Sequence, residues 1–279
     1  MNMFSEYTRT ANELTELIDK LKSEIVPSVE DYKLALSCID LTTLNGNDTH
    51  AKVEALCNQA IDLNQPDKGL PGVAAVCVYP PFVSTAKRLL EGTDIQVAAV
   101  AGAFPSGQSP LFVKLAEVAY TAEEGADEID MVLSRGTFLE QRYAEVRGEV
   151  ESIRIACGDA HLKVILETGE LGSIENIRKA SELSIQGGAH FIKTSTGKIN
   201  PAATPEAMWI MCETILDYYQ TTGRKIGIKP AGGIVTPDDA LLYLNIVRKI
   251  LGEEWLTPGL FRIGASRLAN NLAEKILGE

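Results

Sequence analysis

Phe191-Ile192-Lys193-Thr194-Ser195-Thr196-Gly197-Lys198 and Gly227-Ile228-Lys229-Pro230-Ala231-Gly232-Gly233 repeat one design. In each, a short β-branched run carries a lysine near its end and then reaches glycine. Successive strand residues face opposite sides, so Ile192 opposes Lys193 and Ser195, and Ile226 and Ile228 oppose Lys225, Gly227 and Lys229. Two upstream runs behave alike. Ile129, Met131 and Leu133 oppose Glu128 and Asp130, and Val164 and Leu166 oppose Lys163, Ile165 and Glu167. The apolar faces suit helix packing. The polar faces would then point into a common interior, where charges must pair or hydrogen-bond. Several consecutive strands sharing one polar interior is the pattern of a closed barrel.

The remaining chain supplies enough strands to close it. Strand-like runs are Leu36–Leu41, Val73–Tyr79, Ile95–Ala101, Glu128–Leu133, Leu162–Glu167, His190–Ser195, Lys225–Lys229 and Leu260–Gly264. Helical patterns such as Leu111–Glu124, Ile174–Gln186 and Glu206–Tyr219 fill the gaps. Thr204-Pro205-Glu206 and Thr236-Pro237-Asp238-Asp239 each offer an N-cap threonine, proline at the first helical position and acid in the first turn. Eight strand–helix units predict a (β/α)8 TIM barrel. A doubly wound open sheet is the alternative, but no Gly-x-Gly-x-x-Gly turn follows the first strand. Ahead of the barrel, Leu14, Leu17, Ile18, Leu21 and Ile25 form a helical stripe that Pro27 ends, predicting an extra N-terminal helix over residues 8–26. The expected division is a helical extension over 1–33 and a catalytic barrel over 34–279.

Composition narrows the function. The chain has 279 residues, 45% hydrophobic and 23% charged, as in an ordinary soluble globular protein. A net charge of -12 argues against nucleic acid as a partner and makes a local cluster of cations more telling. No apolar run approaches the roughly 20 residues that span a bilayer. Met1–Thr10 lacks the basic start and apolar core of a signal peptide. Five cysteines without paired spacing suggest reduced thiols in a cytoplasm. The three histidines form no zinc-type motif, so no histidine-built metal site is expected.

Two lysines at the ends of successive strands place two cations together. Repulsion and desolvation depress a lysine pKa, and a neutral lysine attacks carbonyl carbon. Lys193 is therefore a candidate Schiff-base nucleophile; the competing role is an ion-paired barrel lysine. Asp130 shares the interior and can shuttle protons, neutralise a lysine, or both. Lys163 and Glu167 are expected to pair with each other. Asp40, late in the first strand, can orient a substrate hydroxyl or hold a lysine. Cys77 has inward parity, as small filler or as a pocket thiol. Gly197, Gly232, Gly233 and Gly264-Ala265-Ser266 follow the sixth, seventh and eighth strands, with Lys198 and Arg267 nearby. Free backbone N–H groups there suit a phosphate. Gly169, in Thr168-Gly169-Glu170-Leu171, is expected to serve a turn.

From about residue 34 onward the motifs resemble the 2-deoxyribose-5-phosphate aldolase family, the class I aldolases of deoxynucleoside breakdown. The resemblance rests on Asp40-Leu41-Thr42-Thr43-Leu44-Asn45, Gly125-Ala126-Asp127-Glu128-Ile129-Asp130, Leu162-Lys163-Val164-Ile165-Leu166-Glu167-Thr168-Gly169-Glu170-Leu171, the two lysine motifs, and Arg262-Ile263-Gly264-Ala265-Ser266. It implies a (β/α)8 barrel without metal or organic cofactor, acting on a small phosphorylated sugar. Lys193 would form the Schiff base, Lys229 would perturb its pKa, and Asp130 would work with Lys229 in proton transfer. Asp40, Cys77, Lys163, Thr196, Gly197, Lys198, Gly232, Gly233, Gly264 and Ser266 would line the substrate site. Another Schiff-base sugar-phosphate aldolase, a transaldolase-like enzyme and a non-catalytic sugar-phosphate binder are the alternatives. Three features depart from some members. The N-terminal helix is added, to pack on the barrel or to serve a homodimer interface. Arg267 replaces a second serine. The chain ends at Leu277-Gly278-Glu279 without a terminal tyrosine that assists proton transfer, so that help is absent or comes from elsewhere.

Overall fold

The structure is a computed structural model that describes residues 3–278; Met1, Asn2 and Glu279, at the outer ends of the expected extension and barrel, lie outside the described residues. The strands are β1 (Ile39–Thr42), β2 (Ala75–Val78), β3 (Gln96–Ala101), β4 (Glu128–Val132), β5 (His161–Ile165), β6 (Phe191–Lys193), β7 (Gly227–Lys229) and β8 (Ile263–Ala265). Each from β1 to β6 pairs in parallel with the next, and β8 pairs back onto β1. The ring closes through bridges from Ile228 to Phe261 and from Ala231 to Gly264. There Ile228 N–H donates to Leu260 O and Arg262 N–H to Ile228 O. The fold is a (β/α)8 barrel, and closure leaves it no exposed edge.

Helices α1 (Ala11–Glu24), α2 (Val29–Ser37), α3 (His50–Asp62), α4 (Val83–Leu89), α5 (Leu111–Glu123), α6 (Arg135–Leu139), α7 (Tyr143–Ala156), α8 (Ile174–Gln186), α9 (Pro205–Thr222), α10 (Pro237–Leu251) and α11 (Leu268–Leu277) surround or extend the ring. The large core lies between them and the outward strand faces, where Ile129, Met131, Val164, Ile192 and Ile228 are buried. A smaller cluster of Leu44, Ala75, Cys77, Ala98 and Val100 lines the interior wall at β1–β3. The opposite interior wall is charged.

The N-terminal helix forms as its stripe predicts but is shorter than 8–26, because Thr10 caps it. The Thr10 side chain accepts from Glu13 N–H, and the Glu13 side chain accepts from Thr10 N–H. Leu14, Ile18 and Leu21 are buried, and α1 packs on α9 and α10. Each such aliphatic side chain contributes about 1.5–3 kcal/mol.

The run Leu36–Leu41 differs from expectation. Leu36 and Ser37 belong to α2, and the strand starts at Ile39. Ser28 caps this helix by accepting from Asp31 N–H, and Glu30 and Asp31 place acid in its first turn. Helix α2 runs across residue 33, the expected edge of the extension.

Candidate active site

Strand register builds the site. Lys193 of β6 is the direct partner of Lys229 of β7, and Asp130 of β4 is the partner of Lys163 of β5. Both pairs sit on inward positions, so four ionisable groups converge within the barrel. Asp130 is the hub. Its Oδ2 accepts from Lys193 Nζ at 2.7 Å and Lys229 Nζ at 2.8 Å, and its Oδ1 from Lys163 Nζ at 3.1 Å. Asp40 accepts from Lys229, and Glu128 from Lys163. Arg262 completes the network: Nη1 donates to Asp40 Oδ1 at 2.6 Å and Nη2 to Glu128 Oε1 at 2.8 Å. Phe191 covers this lower layer, its ring 5.9 Å from both Lys163 Nζ and Arg262 Cζ. Gly227 makes room for that ring, because a Cβ there would lie 2.3 Å from Phe191 Cε1.

Four cations thus share three carboxylates, all buried. The excess positive charge falls on Lys193, whose one carboxylate partner also serves Lys163 and Lys229. Burial pushes the Lys193 ammonium below the ordinary lysine value, and the Lys229 charge adds to that against the pull of Asp130. Burial acts on Lys163 and Lys229 in the same sense, but carboxylates on both sides outweigh it and hold both above the ordinary value. Burial alone would raise Asp130; three lysines reverse that and keep it well below the carboxylate range. Asp40 is likewise depressed, by Lys229, Arg262 and Lys163 against its burial. One lysine poised to lose its proton beside a fixed carboxylate is equipped for imine chemistry.

A pocket of about 290 Å³ opens above this network, at the C-terminal ends of the strands. Of the buried charged groups among the described residues, only Lys193 lines it. Thr42, Leu44 and Asn45 form one wall; Thr196, Gly197, Lys198, Gly232, Gly233, Gly264, Ser266 and Arg267 form the others. Two glycines are required by contact. A Cβ on Gly232 (φ +82°) would lie 2.7 Å from Ala202 Cβ and 2.9 Å from Gly197 Cα, and one on Gly264 would meet Ala231 Cβ at 2.8 Å and Lys229 Cε at 3.2 Å. The strand-six and strand-seven loops therefore touch backbone to backbone, and Gly264 packs on the strand-seven loop, around a glycine-rich recess that ends at Ser266 and Arg267 before α11; such a recess suits a phosphate.

The structure brings the expected residues together in two storeys. Lys193, Thr196, Gly197, Lys198, Gly232, Gly233, Gly264 and Ser266 border the pocket, while Asp40, Asp130, Lys163 and Lys229 lie in the buried network beneath. Cys77 is buried in the apolar interior wall, and burial pushes its thiol up, which favours the filler role at rest. Lys198 Nζ donates to Leu44 O, tying the strand-six loop to the strand-one loop.

Two expectations are corrected. Glu167 does not pair with Lys163; the chain turns left-handed at Glu167 (φ +56°) and its carboxylate binds Thr196. Gly169 does sit in a short 3-10 turn, Thr168–Glu170, and it serves close approach as well: a Cβ there would lie 2.2 Å from Pro201 O. Lys225 precedes β7 and pairs with Glu254 outside the barrel. Arg262 and Glu128 were not among the expected site residues. Arg262 shares its parity with Gly264 and could have been found by extending the alternation into β8.

Comparison with known proteins agrees with this geometry. A model of the DeoC/LacD family aldolases matches residues 34–252. The deoxyribose-phosphate aldolase of Mus musculus is 46% identical over 253 residues, covering 87% of this chain and 79% of the mouse protein. The Homo sapiens enzyme of the same name is 45% identical with the same coverage. Among solved structures, the tetrameric deoxyribose phosphate aldolase from Aeropyrum pernix superimposes with a TM-score of 0.69 at 26% identity, covering 96% of this chain and 98% of that one. Barrel, buried lysine network and sequence likeness converge, and the chain belongs to the DeoC/LacD family of aldolases.

Proposed function

We propose that this protein is a class I aldolase that reversibly cleaves 2-deoxy-D-ribose 5-phosphate to D-glyceraldehyde 3-phosphate and acetaldehyde, in deoxynucleoside and deoxyribose degradation. The observation that carries the reading is Lys193: alone among the buried charged groups of the described residues it meets the pocket, and its proton is held below the ordinary lysine value. The names of the mammalian relatives support the substrate.

Neutral Lys193 adds to the C1 aldehyde, and loss of water leaves a protonated imine. The C3 hydroxyl then gives up its proton, C3 becomes the carbonyl of glyceraldehyde 3-phosphate, and the C2–C3 bonding pair moves into the imine. It is C2–C3 that breaks because acetaldehyde keeps C1 and C2. The resulting enamine is protonated at C2, and water hydrolyses the imine to release acetaldehyde. Asp130 and Lys229 move these protons, with a water joining the buried carboxylate to the pocket. The imine is the electron sink, so the reaction needs no cofactor. Asp40, Lys163 and Arg262 fix Asp130 and Lys229, and the glycine loops with Ser266, Lys198 and Arg267 hold the phosphate.

Residues 34–279 form the proposed catalytic unit, with 1–33 as its helical extension; the family match starts at residue 34. Five free, buried cysteines support a reducing compartment, the cytoplasm. Among the described residues no helix is long and apolar enough to cross a membrane. A homodimer is the simplest assembly that fits.

Borohydride reduction in the presence of 2-deoxyribose 5-phosphate, followed by peptide mapping, tests the reading. A substrate-derived adduct on Lys193 is expected. Lys193→Ala should lose the adduct and lower cleavage at least about 1,000-fold. Folded protein that binds the sugar phosphate but traps nothing would be a binding protein instead.

A further inference from the structure

Glu167 stands just beyond β5 in a left-handed conformation that L side chains avoid (φ +56°). It is buried, and both carboxylate oxygens turn to one residue of the neighbouring loop. Oε1 accepts from Thr196 N–H at 3.2 Å, and Oε2 accepts from the Thr196 hydroxyl. Among the described residues no lysine, arginine or histidine pairs with it. A buried carboxylate without a cation is costly unless hydrogen bonds satisfy it, so Glu167 binds Thr196 firmly.

The constraint passes along the pocket wall. Thr196 Oγ1, whose O–H donates a hydrogen bond to Glu167, accepts from Lys198 N–H at 3.1 Å. In the turn Thr196-Gly197-Lys198, the outer two N–H groups are therefore occupied internally. Gly197 N–H is the one without an acceptor among the described residues, and Gly197 lines the pocket. A second tie fixes the same two loops, because Gly169 packs too closely on Pro201 O to admit a side chain.

We propose that Glu167 is a positioning residue for the phosphate cradle. By setting the Thr196-Gly197-Lys198 turn it aims Gly197 N–H at the phosphate and so sets the preference for phosphorylated over free sugar. It touches neither substrate nor the reacting atoms. This inference rests on the deoxyribose-phosphate reading above.

The test compares Glu167→Gln with wild type on 2-deoxyribose 5-phosphate and on free 2-deoxyribose, with calorimetric titration of inorganic phosphate alongside. Glutamine replaces one acceptor oxygen by a donor, so either the Thr196 N–H or the Thr196 hydroxyl loses its present acceptor and the turn must adjust. The expected loss in kcat/KM is at least about tenfold larger for the phosphorylated sugar and lies mainly in KM, the factor for losing one charge-assisted hydrogen bond. Inorganic phosphate should bind about tenfold more weakly. Glu167→Gly, which accepts the backbone angle without strain, and Thr196→Val should show the same pattern if the glutamine variant folds poorly. Equal losses on both sugars, or unchanged phosphate affinity, would overturn the proposal. The phosphate titration needs no turnover, so a wild-type protein that binds phosphate but cleaves neither sugar would sink the aldolase reading and leave the role of Glu167 measurable.

Discussion

Lys163 and Lys193 sit on neighbouring strands, both buried and both facing the barrel interior, yet their protons shift in opposite directions. Burial lowers each. Lys163, in the floor, lies among Glu128, Asp130 and Asp40, and these outweigh the desolvation. Lys193, at the mouth, has a share of Asp130 alone and faces Lys229 in register. The number of carboxylates per cation, not burial, separates a structural lysine from a reactive one. The floor is a satisfied ionic layer on which a strained, under-neutralised mouth can stand.

The comparison can be broken most severely at Lys229. Lys229→Leu removes the cation that helps depress Lys193, so the Lys193 pKa should rise. The attacking amine must be neutral, so the acidic limb of the kcat/KM pH profile should move to higher pH. Activity at neutral pH should fall by about 100-fold or more, with partial recovery at higher pH. Unchanged limb position would show that Lys193 owes its shift to burial alone.

Stability should change with opposite signs in the two storeys. Lys163→Met leaves Glu128 and Asp130 under-compensated and should cost about 3–5 kcal/mol in urea unfolding. Lys193→Met removes the surplus cation and should raise the urea midpoint at neutral pH. The linkage sign agrees. Lys193 binds its proton less tightly folded than unfolded, so stability rises with pH from its folded pKa to the ordinary lysine value, and the methionine variant should lose that rise. Lys163 and Lys229 are raised on folding, so their contribution is full below the ordinary lysine value and fades above it. Two methionine variants that destabilise equally would erase the distinction between floor and mouth.

The smallest effect is expected at the pocket rim. Arg267 is exposed and lines the pocket wall without joining the buried network. Arg267→Ala should raise KM for 2-deoxyribose 5-phosphate by about tenfold and affect free deoxyribose less. Equal effects on both sugars would remove Arg267 from the phosphate site.

Much of this arrangement can be read along the chain. Alternation in four strands placed Asp130, Lys163, Lys193 and Lys229 on inward faces, because the two-residue strand period is local. The rule failed where the strand ended. Lys163 and Glu167 share parity on paper, but the backbone leaves the strand at Glu167 and redirects its carboxylate to the next loop. Helix α2 was hidden for a related reason: Leu36–Leu41 reads as one strand-like run, and the capping by Ser28 that favours a helix lies upstream of it.

The eight strand–helix units, the glycine-ended lysine strands and the family are legible along the chain, since propensity, period and motif are properties of neighbouring residues. Which charges meet is set by the fold in three dimensions. Arg262 reaches Asp40 and Glu128 because β8 closes on β1 and the barrel folds its far strands across one interior. A lysine becomes reactive by the count of carboxylates around it, and that count comes from strands distant in the chain brought within a few ångströms.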